Sequence, residues 1–302
     1  GRYDFVGWQI DGAGTVYTDA QVKELAICAH TVFVASYSYD FGPGYPSTEI
    51  KPSDKPKPEP KPEPTPEPKP EPKPEVPVVA DPVDTGVADT LETVLHHAYL
   101  HGYGNGEFGP NRNMTRAEVA QMFYNLLRQK NVPVTVRFTD VTEDDWYATA
   151  VNTLASLDVL KGVGENRYAP NRAISRAEFA AIATRFAKVS LEGSVPFDDI
   201  SGAEWYYNAV LTAVNYGWIS GYEDNTFRPS HTVTRAEVTA IVNRMLARFA
   251  DKEYVTKHIH TIKDFYDVDS SFWAYDYILE ATNGHDYDWV ERTEVWEKHF
   301  VQ

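Results

Sequence analysis

The sequence predicts a mainly α chain built from tandem repeats, with a small β module at its N-terminus. Three observations carry that reading. One string recurs as MTRAEV at 114–119, ISRAEF at 174–179 and VTRAEV at 233–238. Its arginines, Arg116, Arg176 and Arg235, are 60 and 59 residues apart, the interval of one structural unit used three times. Apolar stripes of helical period flank each copy, while the first forty residues alternate with the period of a strand. A motif built three times suits a repetitive ligand or a symmetric assembly better than a single catalytic centre.

Residues 1–45 read as a partial β-repeat module. Phe33, Ala35, Tyr37 and Tyr39 alternate with Val32, Val34, Ser36 and Ser38, and Gly12 and Gly14 mark a turn after Trp8. The FVGW string here resembles the small F-x-G-W repeat of bacterial surface adhesins. Its closing strand departs from that pattern, with Tyr37 where Trp is usual. Residues 46–80 read as a linker. Twelve of the 20 prolines lie within 51–77, in KP and EP dipeptides with six Lys against five Glu and one Asp. Proline fixes φ and removes the amide donor, so this stretch predicts a semi-rigid polyproline II spacer of roughly 80 Å.

The rest divides into repeats at 81–133, 134–192 and 193–255, then a partial fourth copy and tail at 256–302. Each repeat predicts a helix, a Gly-rich turn and a second helix. The first helix takes Leu91, Val94, Leu95 and Ala98 in repeat one, Trp146, Ala150, Val151 and Leu154 in repeat two, and Trp205, Ala209, Val210, Ala213 and Val214 in repeat three. The turns are GYGNGEFGPN, GVGENRYAPN and GYEDNTFRPS, opening at Gly102, Gly162 and Gly221. Short strand-like leaders, FTDV at 138–141 and FDDI at 197–200, precede repeats two and three. A fourth, FYDV at 265–268, again has a Trp, Trp273, eight residues beyond its Phe. Repeat one lacks a leader and the fourth copy lacks the second half. These reciprocal defects predict that 265–282 packs where the missing leader belongs.

Charge narrows the partners. The net charge is -16, of which -12 falls on 78–302. That excludes a phosphate-tracking nucleic-acid binder and argues against docking on an anionic membrane. No apolar run reaches the roughly 20 residues of a membrane helix, so no membrane insertion is expected. A single cysteine, Cys28, rules out an internal disulfide. The chain opens at Gly1 inside a β pattern and reads as the C-terminal part of a longer polypeptide.

Within the recurrent string, Thr115, Ser175 and Thr234 stand at an N-cap, with Glu118, Glu178 and Glu237 three residues on. That is a capping box, and Met114/Val119, Ile174/Phe179 and Val233/Val238 complete a hydrophobic staple. The glutamates are therefore caps and not catalytic acids. The arginines fall at the first helical position, where a cation is mildly unfavourable. Two readings fit them: a salt bridge to a neighbouring repeat, or an anion clamp beside free helix-start amides.

F-x-D-V, W-x-x-x-A-V, G-Y-x-D-x-T-F-x-P and T-R-A-E together resemble the S-layer homology (SLH) domain family. The match runs nearly throughout 197–246, well through repeat two, and from about Leu91 in repeat one. The resemblance implies a pseudo-threefold helical domain, extracellular at a bacterial cell wall or S-layer. It implies non-covalent anchoring to an acidic secondary cell-wall polysaccharide, commonly one bearing pyruvate ketals, with the sugar held in grooves between repeats. Carried over by motif position, Arg116, Arg176 and Arg235 would grip the ligand. Asp140, Asp199 and Asp267 with Trp146, Trp205 and Trp273 would shape the groove wall, and Gly102, Gly162 and Gly221 would allow close approach. Each Trp also fits plain core packing, since it begins an apolar stripe.

Rival readings find less support. No GxSxG, HExxH or P-loop string occurs, so no enzyme is predicted and no cofactor is implied. His97 and His101 are spaced i, i+4 as if on one helix face, but no third metal ligand recurs nearby. The turns lack the alternating acids of a calcium loop in two copies of three. A self-associating scaffold, with S-layer neighbours as partners, remains the structural alternative, as does an anchor for a surface enzyme encoded upstream.

Overall fold

A computed structural model of the chain describes residues 85–190, 193–290 and 293–300, together with the backbone of three N-terminal strands. The chain divides into two units, 1–67 and 68–302. In the first, strand β1 (Arg2–Ile10) lies between β2 (Val16–Tyr17) and β3 (Phe33–Asp40), antiparallel to both. Phe5 stands opposite Tyr37 and Trp8 opposite Ala35, with a register shift between Phe5 and Gly7. The glycine turn, Cys28 and the proline-rich stretch lie outside the described residues.

The second unit is mainly helical. Helices α1 (Arg116–Leu126), α3 (Arg176–Ala183) and α5 (Arg235–Leu246) open on the recurrent string. All three carry the full capping box: the Glu118, Glu178 and Glu237 amides donate to the cap hydroxyls. The cap amides donate back to the glutamates at 2.7, 3.1 and 2.7 Å. Between them lie α2 (Ala148–Ser156) and α4 (Tyr207–Asn215), followed by α6 (Lys252–His258) and α7 (Tyr275–Thr282). α2 packs on α1, α4 on α3 and α7 on α5, so each string helix is covered by the next first helix along the chain.

The three strings are joined in a closed cycle of backbone hydrogen bonds. Met114 N donates to Val233 O, Val233 N to Ile174 O, and Ile174 N to Met114 O, at 3.0–3.1 Å. One step on, Arg116 N donates to Arg172 O, Arg176 N to His231 O and Arg235 N to Arg112 O. Helix-start amides that have no partner within their own helix are thus satisfied by a neighbouring repeat. Met114, Ile174 and Val233, with Phe123, Phe179 and Phe186, are almost completely buried in one core.

The leaders are turns rather than strands. Val141 N donates back to Phe138 O, Ile200 N to Phe197 O and Val268 N to Phe265 O. The leader aspartate explains the difference. Asp140 accepts from the amides of Tyr168 and Ala169, and Asp199 from those of Phe227 and Arg228, at 2.7–2.8 Å. Satisfying two amides of one turn pins the segment in place of a ladder. Asp267 does the same across the molecule, accepting from Phe108 and Gly109 of repeat one at 2.8 and 2.7 Å. The leader of the fourth copy therefore sits against the turn of the repeat that lacks one.

Repeat one differs from expectation upstream of that turn. Leu91, Val94, Leu95 and Ala98 do not form a helix, and Val94 and Leu95 are exposed. Other elements take up this segment's backbone instead. Glu92 N donates to Leu126 O, Tyr99 N and Leu100 N to Ala281 O at the end of α7, and His96 pairs with His285. Because α7 already covers α5, the segment is held extended by its neighbours, and the i, i+4 helix face expected for His97 and His101 does not exist. The C-terminal residues, expected as a tail, form an antiparallel hairpin of β4 (His285–Val290) and β5 (Thr293–His299).

Candidate functional site

The three arginines are buried, with 4%, 1% and 6% of their surface exposed at Arg116, Arg176 and Arg235. Arg116 donates from Nε to Tyr168 O and from Nη2 to Lys161 O, at 2.8 and 2.7 Å. Arg176 repeats this on Phe227 O and Ser220 O, at 2.9 and 3.0 Å. Each also approaches the capping glutamate of the next string, Glu178 at 3.4 Å and Glu237 at 3.7 Å. Arg235 is less committed: Nη2 donates to His101 O, and the buried Nε has no hydrogen-bond partner. The contact to a neighbouring repeat is found, at carbonyls and at the next capping glutamate, whereas the helix-start amides expected to be free beside each arginine are already bonded to that repeat. The arginines tie successive repeats together, and two of them also border open clefts.

The first cleft, of about 350 Å³, is lined by Arg116, Lys161, Gly162, Arg172, Glu178, Arg185 and Trp205, among others. Glu178, Ala181 and Ile182 of α3, with Arg185 in the 3-10 turn that follows it, form one wall. Four cations face one carboxylate here. Burial raises the pKa of Glu178, but the bonds from Arg172 and the Ser175 amide outweigh it and leave the group more acidic than usual. Lys161 pairs with Asp158, and Arg185 donates to Val159 O at 2.6 Å. In a chain of net charge -16, this is a local basic pocket.

The second cleft, of about 400 Å³, is lined by Tyr99, Gly102, Tyr103, Glu118, Asn125, Trp146 and Arg235, among others. It carries less positive charge, since Arg235 is the one Arg or Lys in its lining; burial first, then Lys263 and Arg235, lower the pKa of the adjoining His101. Each cleft draws on three repeats: an arginine from one, a turn and string helix from the next, and a Trp from the one after.

Trp146 and Trp205 are 63% and 68% exposed, which excludes core packing for both. Their helices start two residues later, at Ala148 and Tyr207. Trp273 is half-buried against the core. The equivalent helix face of repeat three is covered: every residue of α5 is buried, including Glu237, Ala240, Ile241 and Arg244. The Tyr277 ring lies 5.7 Å from the Arg244 guanidinium. Asp140, Asp199 and Asp267 hold turns, as described, and line neither cleft. Gly102 and Gly162 line the clefts, and a further constraint fixes all three turn glycines. A Cβ at Gly102, Gly162 or Gly221 would fall 2.3, 2.9 or 2.1 Å from the ring of Phe265, Phe138 or Phe197.

Sequence reasoning missed Lys161, Arg172 and Arg185. Lys161 directly precedes a turn glycine, and Arg185 completes the helix face that starts at Glu178. Both signals are present in the sequence. Lys161 does not recur, with His101 and Ser220 at its position, whereas Arg185 recurs as Arg244 in repeat three and is replaced by Asn125 in repeat one.

Tandem α-helical repeats, cyclically bonded and leaving aromatic and cationic clefts at their seams, define a repeat-built helical module. The chain belongs to the S-layer homology domain family, which matches at residues 81–120, 137–180 and 196–239. It is 33% identical over 207 residues to Cell surface glycoprotein 1 of Acetivibrio thermocellus, covering 64% of this chain and 9% of that one. It is 33% identical over 204 residues to the Cellulosome-anchoring protein of the same organism, covering 64% of this chain and 43% of the relative. An Amylopullulanase of Thermoanaerobacterium thermosulfurigenes is 31% identical over 175 residues, covering 56% and 9%. The chain thus spans less than half the length of these relatives. Among the described residues no helix is long and apolar enough to cross a membrane.

Proposed function

We propose that this chain anchors a bacterial surface protein non-covalently to an acidic secondary cell-wall polysaccharide, through the clefts at the seams between repeats. The observation that carries this is the first cleft. Four basic side chains and an exposed Trp205 converge there on a protein that is otherwise strongly acidic. Guanidinium and ammonium groups suit a sugar carboxylate such as a pyruvate ketal, and an aromatic face suits the apolar side of a sugar ring. The names of the glycoprotein and the anchoring protein support a role at the cell surface. The Amylopullulanase match shows that similar repeats also occur in a protein named for an enzyme.

The cyclic bonds among Met114, Ile174 and Val233 support a pseudo-threefold arrangement, with the fourth copy completing repeat one. Two open corners and one closed corner then make the anchor bivalent for one polymer. Linking two sites on one chain raises avidity well beyond either site alone. Co-sedimentation with purified cell walls tests the reading, before and after mild acid hydrolysis of pyruvate. Binding is expected to fall at least tenfold on hydrolysis, and similarly in a Lys161→Ala, Arg185→Ala, Trp205→Ala variant of unchanged melting temperature. A variant that pellets like the parent defeats the assignment.

A further inference from the structure

Away from the clefts, four side chains that the anchoring reading does not use converge on one buried point. They are His96, Glu280 in α7, His285 in β4 and Glu294 in β5, each no more than 3% exposed. One ligand-type atom from each lies within 4.8 Å of all the others. His96 Nδ1 is 3.1 Å from His285 Nε2 and 2.9 Å from Glu294 Oε1, and His285 Nε2 is 2.8 Å from Glu294 Oε1. Glu280 faces the two imidazoles at 3.5 and 3.7 Å. Ligands about 2.0–2.1 Å from a tetrahedral zinc lie roughly 3.4 Å apart, the middle of this range.

Protons alone do not satisfy the cluster. His285 Nδ1 lies 2.9 Å from Asn283 O, which can only accept, so Nδ1 holds the proton and a neutral ring presents a bare Nε2 lone pair. That lone pair points at a carboxylate oxygen. Charging both rings would satisfy Glu294 but oppose two N–H groups 3.1 Å apart. It would also do nothing for Glu280: the neighbouring Trp296 indole N–H donates to Glu294 Oε1 at 3.2 Å, and both buried Glu280 oxygens are left without a hydrogen bond. A buried polar group without a partner is expensive. Arg248, the nearby buried cation, spends its Nη groups on the carbonyls of Glu92, Leu95 and His97.

The surroundings have the form of a metal site's supporting shell. The His96 ring stacks on Tyr287 and the His285 ring on Trp296, each with centroids 3.8 Å apart. The Phe249 amide donates to Glu294 Oε2 at 2.9 Å. We propose that His96, Glu280, His285 and Glu294 form a closed two-His, two-Glu site for a divalent transition-metal ion, zinc above all. Two carboxylates balance the dication, and four protein ligands leave no position for a substrate, so the ion is structural. It clamps α7 and the β4–β5 hairpin onto the extended segment 91–101, at the seam where the fourth copy meets repeat one. The proposal stands apart from the anchoring reading, and its test does not involve cell walls.

The test uses the full, untagged chain stripped with chelator and titrated with zinc chloride. One equivalent is expected to bind, raising the melting temperature by roughly 5–10 °C at a hundredfold excess over the dissociation constant. Cobalt(II) should give the intense visible bands of a tetrahedral site. Glu280→Gln removes one ligand at constant shape and relieves the unpartnered carboxylate. It should leave the metal-free melting temperature level or higher, and weaken zinc binding at least about a hundredfold. A parent chain indifferent to both ions overturns the site, as does a zinc response unchanged in Glu280→Gln. If that variant fails to fold, Glu294→Gln and the cobalt spectrum of the parent decide.

Discussion

At the residue scale, side chains of one type divide between holding the fold and facing the clefts. Arg176 is 1% exposed and satisfies two carbonyls of the next repeat. Arg176→Ala should cost about 3–5 kcal/mol, because it strips buried acceptors of their donor and leaves Glu237 less well paired. Trp205→Ala, 68% exposed, should stay within about 0.5 kcal/mol of the parent while losing wall binding. Chemical denaturation of the two variants checks the contrast. Gly221→Ala places a methyl 2.1 Å from the Phe197 ring, and overpacking of this kind costs about 1–3 kcal/mol. A melt indistinguishable from the parent would show that the ring moves aside freely. The sequence marked Arg176, Trp205 and Gly221 as special through their recurrence. It could not say which face solvent, because exposure depends on where a helix begins. A Trp two residues before a helix lies outside the apolar stripe it continues on paper.

At the element scale, helix starts were legible and leaders were not. The Thr/Ser-Arg-Ala-Glu string encodes its own cap within four residues, so all three capping boxes follow from local chemistry. The leaders alternate like strands, yet their aspartates find amides 28 or more residues away and fold the segments into turns. The fourth leader makes the same bonds at a separation of about 159 residues. Asp267→Ala should therefore cost about 1.5–3 kcal/mol, the usual loss for hydrogen bonds to a charged group. It should also raise proteolytic cutting after residue 250. Mass spectrometry of limited digests reads this out, and an unchanged digest would mean that α7 holds the segment without Asp267. The failed helix at 91–98 has the same cause: helical period there was outweighed by backbone partners on α7 and the hairpin.

At the scale of the whole molecule, closure and net charge make their own predictions. Residues 260–302 supply Phe265 and Asp267 to the turn of repeat one and α7 to the face of α5. Deleting them should lower stability by several kcal/mol and the melting temperature by roughly 10–20 °C. Calorimetry that finds no change would show that the ring closes without them. Charge acts over longer distances. At about 0.01 M salt the screening length grows to about 30 Å, and a -16 chain should then be repelled by an acidic polymer. Sedimentation with walls is expected to weaken on dilution of salt from about 0.15 M. Stronger binding at low salt would show that the basic cleft outweighs the net charge.

The sequence by itself determined the repeat, its caps, its apolar faces and the family, because each is written within one window of about sixty residues and repeated. It also implied that the fourth copy completes the first, since their defects are reciprocal. Only the tertiary structure decided which corners stay open. Every residue of α5 is buried, while α1 and α3 present Glu118 and Glu178 with their neighbours to open clefts. Only the tertiary structure gathered His96, Glu280, His285 and Glu294, whose positions span 198 residues of chain. Metal-ligand spacing is a local signal, and a site assembled from both ends of a domain has none. The physical reason is common to both: local patterns fix the partners a residue can have within one turn or one helix. Burial and distant hydrogen bonds are settled only when the ends of the domain meet.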